Sequence, residues 1–239
     1  QGGGKLVGTN IQVPSDISSA AFFMVGAAIT ENSDVTLEAV GINPTRTGVI
    51  EILKQMGADI TVENERIAGG EPIADIRIRG TRTLKGIHMP EDQVPLAIDE
   101  FPALFIAAAC AEGQTILPGA AELRVKESDR IQVMADGLQT MGIDCTPTED
   151  GIIIEGKGKS GDWSPIFTGG EIESHHDHRI AMSFSIAGLR NSEQIKIVGT
   201  ETVATSFPTF TELTSIAGLP IQGCFVYIAY AKPIQEKSH

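Results

Sequence analysis

The sequence predicts a mixed α/β (α+β) fold in which three βαβαββ units form a pseudo-threefold, inside-out α/β barrel, with helices inside and sheets outside. The first observation is a repeat, because an acidic residue followed by an apolar helix recurs at Asp16, Asp99 and Asp177. The second is that Ala, Gly, Ser and Phe dominate these helices, which can therefore be buried on most sides. The third is that 239 residues, 41% of them hydrophobic, can build a sizeable core. A plain two-layer α+β sandwich is the alternative.

The elements follow one order in each unit. The opening strands are NIQV, GIHM and a strand near Ile172, and the helices after them are DISSAAFFMVGAAIT, DEFPALFIAAACAEG and DHRIAMSFSIAGLRN. A β-rich run comes next, as VTLEAV, TILPG or IKIVG. A second helix then ends at Gly57, Gly142 or Gly218, where a C-cap glycine belongs. Two alternating strands close each of the first two units, and the third closes irregularly.

Short connections and the lack of a Gly/Ser linker predict a single domain over residues 1–239. Its units span about 10–80, 84–156 and 165–230. The N-terminus, QGGGKLVGTN, has no initiator Met and no apolar signal region, so we expect it to be the start of a fragment.

Charge and cysteine content narrow the functional class. The net charge of −13 argues against a nucleic-acid partner or an anionic membrane surface, and no apolar stretch is long enough to span a bilayer. The cysteines, Cys110, Cys145 and Cys224, are far apart and form no CxxC pair. That spacing is typical of a reducing cytoplasm and predicts no structural zinc.

Charged residues collect where the helices begin. If the units are equivalent, the helix N-termini face one side and together favour an anion. In LRVKESDRI, Lys126 and Arg130 are four residues apart, which predicts one shared helix face beside Glu127. In HHDHRIAM, His178 and Arg179 start an apolar helix. Two cationic clusters from different units predict a phosphorylated or carboxylated ligand.

Each cluster also has a structural interpretation. LRVKESDRI could be an ordinary solvated helix start, and Asp99 could be an N-cap residue. The run from His175 to His178 contains possible metal ligands, but neighbouring residues point in different directions and no HExxH pattern accompanies them.

Five motifs together closely resemble the 5-enolpyruvylshikimate-3-phosphate synthase family. They are NPTRTG, IDEFPALFIAAACAEG, LRVKESDRI, DHRIAMSF and ATSFPTF, in this order. The resemblance runs from about Gly2 to Leu219 and covers the C-terminal-side domain. It implies a two-domain enzyme that transfers the enolpyruvyl group of phosphoenolpyruvate to the 5-hydroxyl of shikimate 3-phosphate and releases phosphate. It also implies no metal or organic cofactor, and an N-terminal-side domain as partner.

The resemblance implies a role for each matching residue. Asp99 would accept the proton of the attacking hydroxyl, Glu127 would exchange a proton with the methylene carbon, and Lys126 would hold the reacting oxygen and the incoming anion. The substrate-binding residues would be Arg130 and Arg179, which clamp phosphoenolpyruvate, together with His178 and Arg124.

Two positions depart from the pattern of some family members, and two other functions stay open. Thr205 stands where some members have a phosphoenolpyruvate-binding Lys, and Glu122 where some have an Asn that contacts the shikimate phosphate. One alternative is a non-catalytic anion-binding or interaction module on the same fold. The other is the related transferase acting on UDP-N-acetylglucosamine, which shares the fold but not the KESDR and DHRIAM runs.

The end of the chain no longer resembles the family after about Leu219. In the family, a strand from the N-terminus of the full enzyme completes the third unit. The run GCFVYIAYAKP is aromatic and β-branched between Gly223 and Pro233, which is a strong strand signal. We therefore expect Cys224 to Tyr230 to fill that strand position. The alternative is an unrelated tail, either disordered or paired with another copy of the chain.

Overall fold

The strands form three sheets, one from each successive third of the chain. The computed structural model of the protein describes residues 3–4, 7–8, 10–80, 83–219, 221–223 and 226–229. Helices and strands alternate through all of it, so the fold is of the mixed α/β type that the sequence predicts.

The first two sheets have the same antiparallel order. The first unit comprises α1 (Ile17–Ala28), β1 (Asp34–Gly41), α2 (Gly48–Gln55), β2 (Asp59–Ala68) and β3 (Glu71–Arg79), with strand order β1-β3-β2. The second comprises α3 (Phe101–Ala109), β4 (Glu112–Leu117), α4 (Arg130–Thr140), β5 (Cys145–Pro147) and β6 (Ile152–Lys157), with order β4-β6-β5. In each, the last strand of the unit lies between the other two and pairs antiparallel with both.

The third sheet has four strands. This unit comprises β7 (Gly170–Glu173), α5 (His178–Ala187), β8 (Ile195–Val198), α6 (Val203–Ser206), α7 (Phe210–Ile216), β9 (Ile221–Gln222) and β10 (Val226–Ala229). The order is β7-β8-β10-β9, and only the β7–β8 pair among these described strands is parallel.

The core lies where the first helix of each unit meets the other two. α1, α3 and α5 contact one another, and every residue of α3 is buried. Each of these helices also packs against the sheet of its own unit. Small side chains allow this close approach, as the composition of the three helices predicts.

The second helix of every unit ends in the same way. Gly57, Gly142 and Gly218 have φ angles of +91°, +82° and +97°, which favour glycine. The residue after each glycine donates its N–H to a carbonyl five residues back, at 2.9, 2.9 and 2.8 Å. This pattern is a Schellman motif, so the C-cap prediction is confirmed three times.

The opening strands that the sequence predicts for the first two units do not form as regular strands in the described structure. NIQV forms no ladder, and the one bridge near it joins Ser15 to Val40. Ile11 and Val13 are exposed there, so the alternating pattern has no apolar surface to pack against. GIHM is reduced to bridges at Lys85 and His88, whose partners Glu112 and Ile116 are one residue further apart, so the ladder is interrupted. The strand near Ile172 does form, as β7.

The tail prediction is confirmed for the residues that the structure describes. β10 pairs antiparallel with β8 of the same chain, from Val226 opposite Val198 to Ala229 opposite Ile195. Tyr227 is buried, and its ring centroid lies 6.5 Å from that of Phe210 in α7. Cys224, Phe225 and Tyr230 lie outside the described residues.

Candidate functional site

The candidate site lies where the first helices of the units begin. Asp16 caps α1 by accepting hydrogen bonds from the backbone N–H groups of Ser18 and Ser19. Asp177 caps α5 in the same way, by accepting from the backbone N–H groups of Arg179 and Ile180. α3 begins differently. Glu100 occupies its N-cap position and makes no side-chain cap, so the capping role considered for Asp99 is wrong.

The Asp99 carboxylate is turned toward three cations instead. Arg130 Nη1 lies 3.3 Å and Lys126 Nζ 3.7 Å from Oδ1, and Arg179 Nη2 lies 3.7 Å from Oδ2. Arg179 also donates through Nη1 to the backbone carbonyl of Asp99, at 3.1 Å. The fold therefore brings these four predicted site residues together, although they belong to two units.

This charge distribution sets the ionisation of Asp99. The carboxylate is about one-third exposed, and burial raises its pKa. Nearby cations outweigh burial, so that the pKa lies below the ordinary value for aspartate. These cations are Arg179, Lys126, Arg130 and Arg46.

Arg130 is the most enclosed residue of the cluster. Its side chain is 1% exposed, and its donors engage three carboxylates. Nε donates to Asp177 Oδ2 at 2.8 Å, Nη2 donates to Glu127 Oε2 at 2.5 Å, and Nη1 faces Asp99. In this state, an anion that reached Arg130 would have to take the place of Glu127 or Asp99, because the third carboxylate, Asp177, is fully buried.

Glu127 and Lys126 reach the cluster by a route that their spacing did not predict. The chain forms a 3₁₀ turn over Ala121–Val125, becomes extended at Lys126, and enters α4 only at Arg130, after the N-cap residue Asp129. Lys126 and Arg130 therefore do not share a helix face. Lys126 also pairs with Glu122, the residue that departs from some family members, and this hydrogen bond raises the pKa of Lys126.

His178 lies in the first turn of α5, directly before Arg179. Burial and, after it, the charge of Arg179 lower the pKa of His178, which favours a neutral imidazole at neutral pH. The residues before it turn sharply, since His175 and His176 have φ angles of +51° and +59°. Within the described ranges, no three His, Cys, Asp or Glu side chains are placed to hold a metal ion.

The structure does not bring Arg124 to this cluster. Its Nη1 donates to Asp129 at 2.7 Å, and its Nε donates to the backbone carbonyl of Glu149 at 2.8 Å. Nη2 donates to the carbonyl of Thr148. Arg124 thus ties the turn between β5 and β6 to the N-cap of α4.

A second group of polar residues adjoins Asp99. These residues lie at helix starts that the sequence places on the anion-binding face, but the sequence assigns them no individual role. Glu100 is buried and accepts a hydrogen bond from the Ser18 hydroxyl, which in turn accepts one from Arg46. Only the pair of consecutive acids in IDEFP, before a helix that is apolar throughout, hinted at a buried carboxylate.

The arrangement contains the groups that both anion binding and proton transfer require. Lys126 and Arg179 supply positive charge, while Asp99 and Glu127 offer two carboxylates in different surroundings. A carboxylate beside cations can take or give a proton while the cations hold an oxyanion.

Comparison with known proteins shows to which family the chain belongs. The family model for EPSP synthase (3-phosphoshikimate 1-carboxyvinyltransferase) matches residues 1–213. The chain belongs to the EPSP synthase family. Among curated relatives of that family, the 3-phosphoshikimate 1-carboxyvinyltransferase of Methylococcus capsulatus is 64% identical over 93% of the chain, and that of Hydrogenovibrio crunogenus is 63% identical over 92%.

The chain spans about half the length of these relatives, 49% and 48% respectively. A solved EPSP synthase from Acinetobacter baumannii is 86% identical, with a TM-score of 0.89 over 95% of this chain and 50% of that one. The enolpyruvyl transferase NikO from Streptomyces tendae is 14% identical, with a TM-score of 0.55 over 94% of this chain, and shares the fold alone. No described helix is both long and apolar enough to cross a membrane.

Proposed function

We propose that this chain is one half of an EPSP synthase, which moves the enolpyruvyl group of phosphoenolpyruvate to the 5-hydroxyl of shikimate 3-phosphate. Membership of the family supports the reaction class. The observation that carries the assignment is the placement of Asp99 among Lys126, Arg130 and Arg179, with Glu127 bonded to the same Arg130.

The residues have complementary roles in this proposal. Asp99 accepts the hydroxyl proton as the 5-hydroxyl oxygen of shikimate 3-phosphate attacks the central carbon of phosphoenolpyruvate. Glu127 gives a proton to the methylene carbon and takes one back when phosphate leaves, so the double bond re-forms on the transferred group. Lys126 and Arg179 hold the anionic oxygens, and neutral His178 adds a hydrogen-bonding group beside them.

The contacts of Arg130 and Arg124 support different roles for these two residues. Arg130 holds Asp99 and Glu127 in reach of each other and reaches substrate oxygens only when one of them moves aside. Arg124 acts indirectly in our proposal, by fixing the N-cap of α4 and so the position of Arg130.

The same proposal extends to the architecture. We infer a pseudo-threefold, inside-out barrel whose units span about 10–80, 84–156 and 165–230 of one domain. Three mutually contacting helices, a sheet on each, and three equal Schellman endings support it. The other domain of the enzyme, N-terminal-side in the family, is the expected partner and the second wall of the site.

The experiment is to mix the chain with that N-terminal-side domain and to measure phosphate release from phosphoenolpyruvate and shikimate 3-phosphate. We expect turnover in the mixture and negligible turnover by the chain alone. Asp99→Asn and Glu127→Gln should each lower kcat by about 10²- to 10⁴-fold, the usual contribution of a proton-transfer group.

A matched control is Glu171→Gln, because Glu171 forms an exposed pair with Lys196 on the third sheet. It should leave kcat unchanged. A mixture that binds both substrates without releasing phosphate would contradict the proposal and favour a non-catalytic anion-binding module.

A further inference from the structure

Glu100 is a buried carboxylate that the proposed reaction does not use. Its side chain is 1% exposed although it directly follows Asp99. It does not cap α3, so the helix start does not explain it. Glutamate is almost never fully buried without a partner, so the contacts of Glu100 indicate its role.

Those contacts lead to the first unit of the fold. The Ser18 hydroxyl, at the start of α1, donates to the Glu100 carboxylate and accepts a hydrogen bond from Arg46 Nη2 at 2.6 Å. The same Nη2 lies 3.7 Å from Glu100 Oε1. Ser18 is itself buried, so its hydroxyl is shielded from water and joins the two charged groups.

Arg46 is held differently from Arg130. Carboxylates surround Arg130, whereas Arg46 is 46% exposed and its nearest carboxylate oxygens, on Glu100 and Asp16, lie 3.7 and 3.9 Å away. Among the described residues, Nε and Nη1 of Arg46 have no hydrogen-bond acceptor. Its charge nevertheless acts on Asp99, whose pKa it helps to lower.

We propose that Glu100 is a positioning residue which, through the Ser18 hydroxyl, fixes Arg46 as a fourth cation of the site, with free donors for a substrate oxyanion. This inference rests on the proposed function. The ligand is a carboxylate or phosphate group of phosphoenolpyruvate or shikimate 3-phosphate, because a guanidinium with two free donors suits such groups.

The test mixes the isotope-labelled 239-residue chain with the N-terminal-side domain and follows the arginine Nε–Hε resonances by NMR while either substrate is added. We expect Arg46 and Arg179 to shift with the same midpoint for at least one of the two substrates, and the substrate that moves Arg46 is the one it binds. Glu100→Gln and Ser18→Ala should each raise the Arg46 midpoint by about tenfold, as expected for one charge-assisted hydrogen bond.

Kinetics of the mixture with the other domain separate positioning from general instability. Glu100→Gln and Ser18→Ala should raise KM for the same substrate by about tenfold and leave kcat within about twofold, since they act on binding through Arg46. Arg46→Ala should match them, and adding Ser18→Ala to it should change KM no further. Glu171→Gln is the exposed control and should change neither constant.

The outcomes distinguish this inference from the function on which it rests. If Arg179 shifts and Arg46 does not, the inference is wrong and the anion site stands. If Arg46 shifts equally in the wild type, Glu100→Gln and Ser18→Ala, the positioning role of Glu100 is wrong. If no arginine responds to either substrate, the anion site fails, and the proposed function and the inference fail with it.

Discussion

In the proposed site, Asp99 lies among cations although the protein as a whole is acidic. The chain carries a net charge of −13, yet three cations lie within 4 Å of this one carboxylate. They keep Asp99 ionised, which also makes it a weak base. A substrate anion bound to the same cations would offset their charge. The pKa of Asp99 would then rise toward the value that burial favours, so the base would strengthen when substrate is present.

The imidazole of His178 offers a measurable check on the electrostatics of the site. Burial and then Arg179 lower its pKa, so we expect its titration midpoint by NMR to lie below the ordinary value of 6.5. Arg179→Met should raise the midpoint only part of the way, because burial remains. In the wild type, the lowered pKa of His178 means that the unfolded chain binds the imidazole proton more readily than the folded chain does. The stability of the wild type should therefore fall as the pH drops below about 6.5. A midpoint at or above 6.5 would show that the site is more solvated than its geometry indicates.

Motifs predicted which residues lie together better than how they are arranged. Asp99, Lys126, Arg130 and Arg179 do come together, but Lys126 arrives through an extended residue and not along a helix. Asp129 determines this, because its side chain caps α4 and so starts the helix late. Whether a side chain is buried depends on residues that are distant in the sequence. No local pattern near Glu100 therefore indicates its contact with Ser18 or the contact of Ser18 with Arg46.

Among the elements, helix ends were more predictable than strands. A Schellman ending is local, since it needs only a glycine with positive φ and the preceding turn. NIQV has no apolar surface to pack against, since Ile11 and Val13 are exposed, and GIHM has no neighbouring strand in continuous register. β10 shows the converse, because its run of β-branched and aromatic residues pairs with the available edge of β8.

Gly57 allows the cost of one Schellman ending to be measured alone. Its φ is +91°, and an added Cβ would have no heavy atom within 4 Å, so Gly57→Ala introduces backbone strain without a clash. We expect urea unfolding to show a loss of about 1–2 kcal/mol. Gly57→Asn should cost less, because asparagine tolerates the left-handed region better. Equal stability of Gly57→Ala and the wild type would mean that the motif contributes nothing here.

The contribution of β10 can be tested through Tyr227. Its side chain is 4% exposed and stacks near Phe210, so β10 joins the core as well as the sheet. We expect Tyr227→Ala to lower the free energy of unfolding by about 3 kcal/mol, in the range of other large-to-small aromatic substitutions. Tyr227→Phe keeps the ring and serves as control, with a smaller loss. A change below about 0.5 kcal/mol for Tyr227→Ala would show that this strand packs only loosely.

At the scale of the whole molecule, charged contacts at the site tie the three units together. Arg46 links the first unit to Glu100 of the second, and Arg130 of the second is bonded to Asp177 of the third. The helices below these contacts pack through small apolar side chains, which fix their distance but carry little directional information. Stability and site geometry should therefore be coupled most strongly at the most buried of these ion pairs.

Asp177→Asn tests that coupling. Asp177 is fully buried, and Arg130, which it contacts at 2.8 Å, is 1% exposed. The substitution keeps an oxygen to cap α5 but removes the buried negative charge that faces the Arg130 guanidinium. We therefore expect urea unfolding at pH 7 to show a loss of about 3–5 kcal/mol in the free energy of unfolding. Asp34→Asn, at an exposed pair with Arg77, is the matched control and should cost far less.

The pH dependence of this loss gives a second measurement. Burial raises the pKa of Asp177, but hydrogen bonds and charge from Arg130 outweigh it, so the folded pKa lies below the ordinary value of 3.8. A carboxylate with a lowered pKa contributes its full stability above the unfolded pKa and loses it as the pH falls through the folded one. The difference between wild type and Asp177→Asn should stay constant from about pH 7 to 5 and shrink below about pH 4. A difference that instead grows as the pH falls below 6 would place the folded pKa above 3.8, and the Arg130–Asp177 pair would then not be the contact that holds the units together.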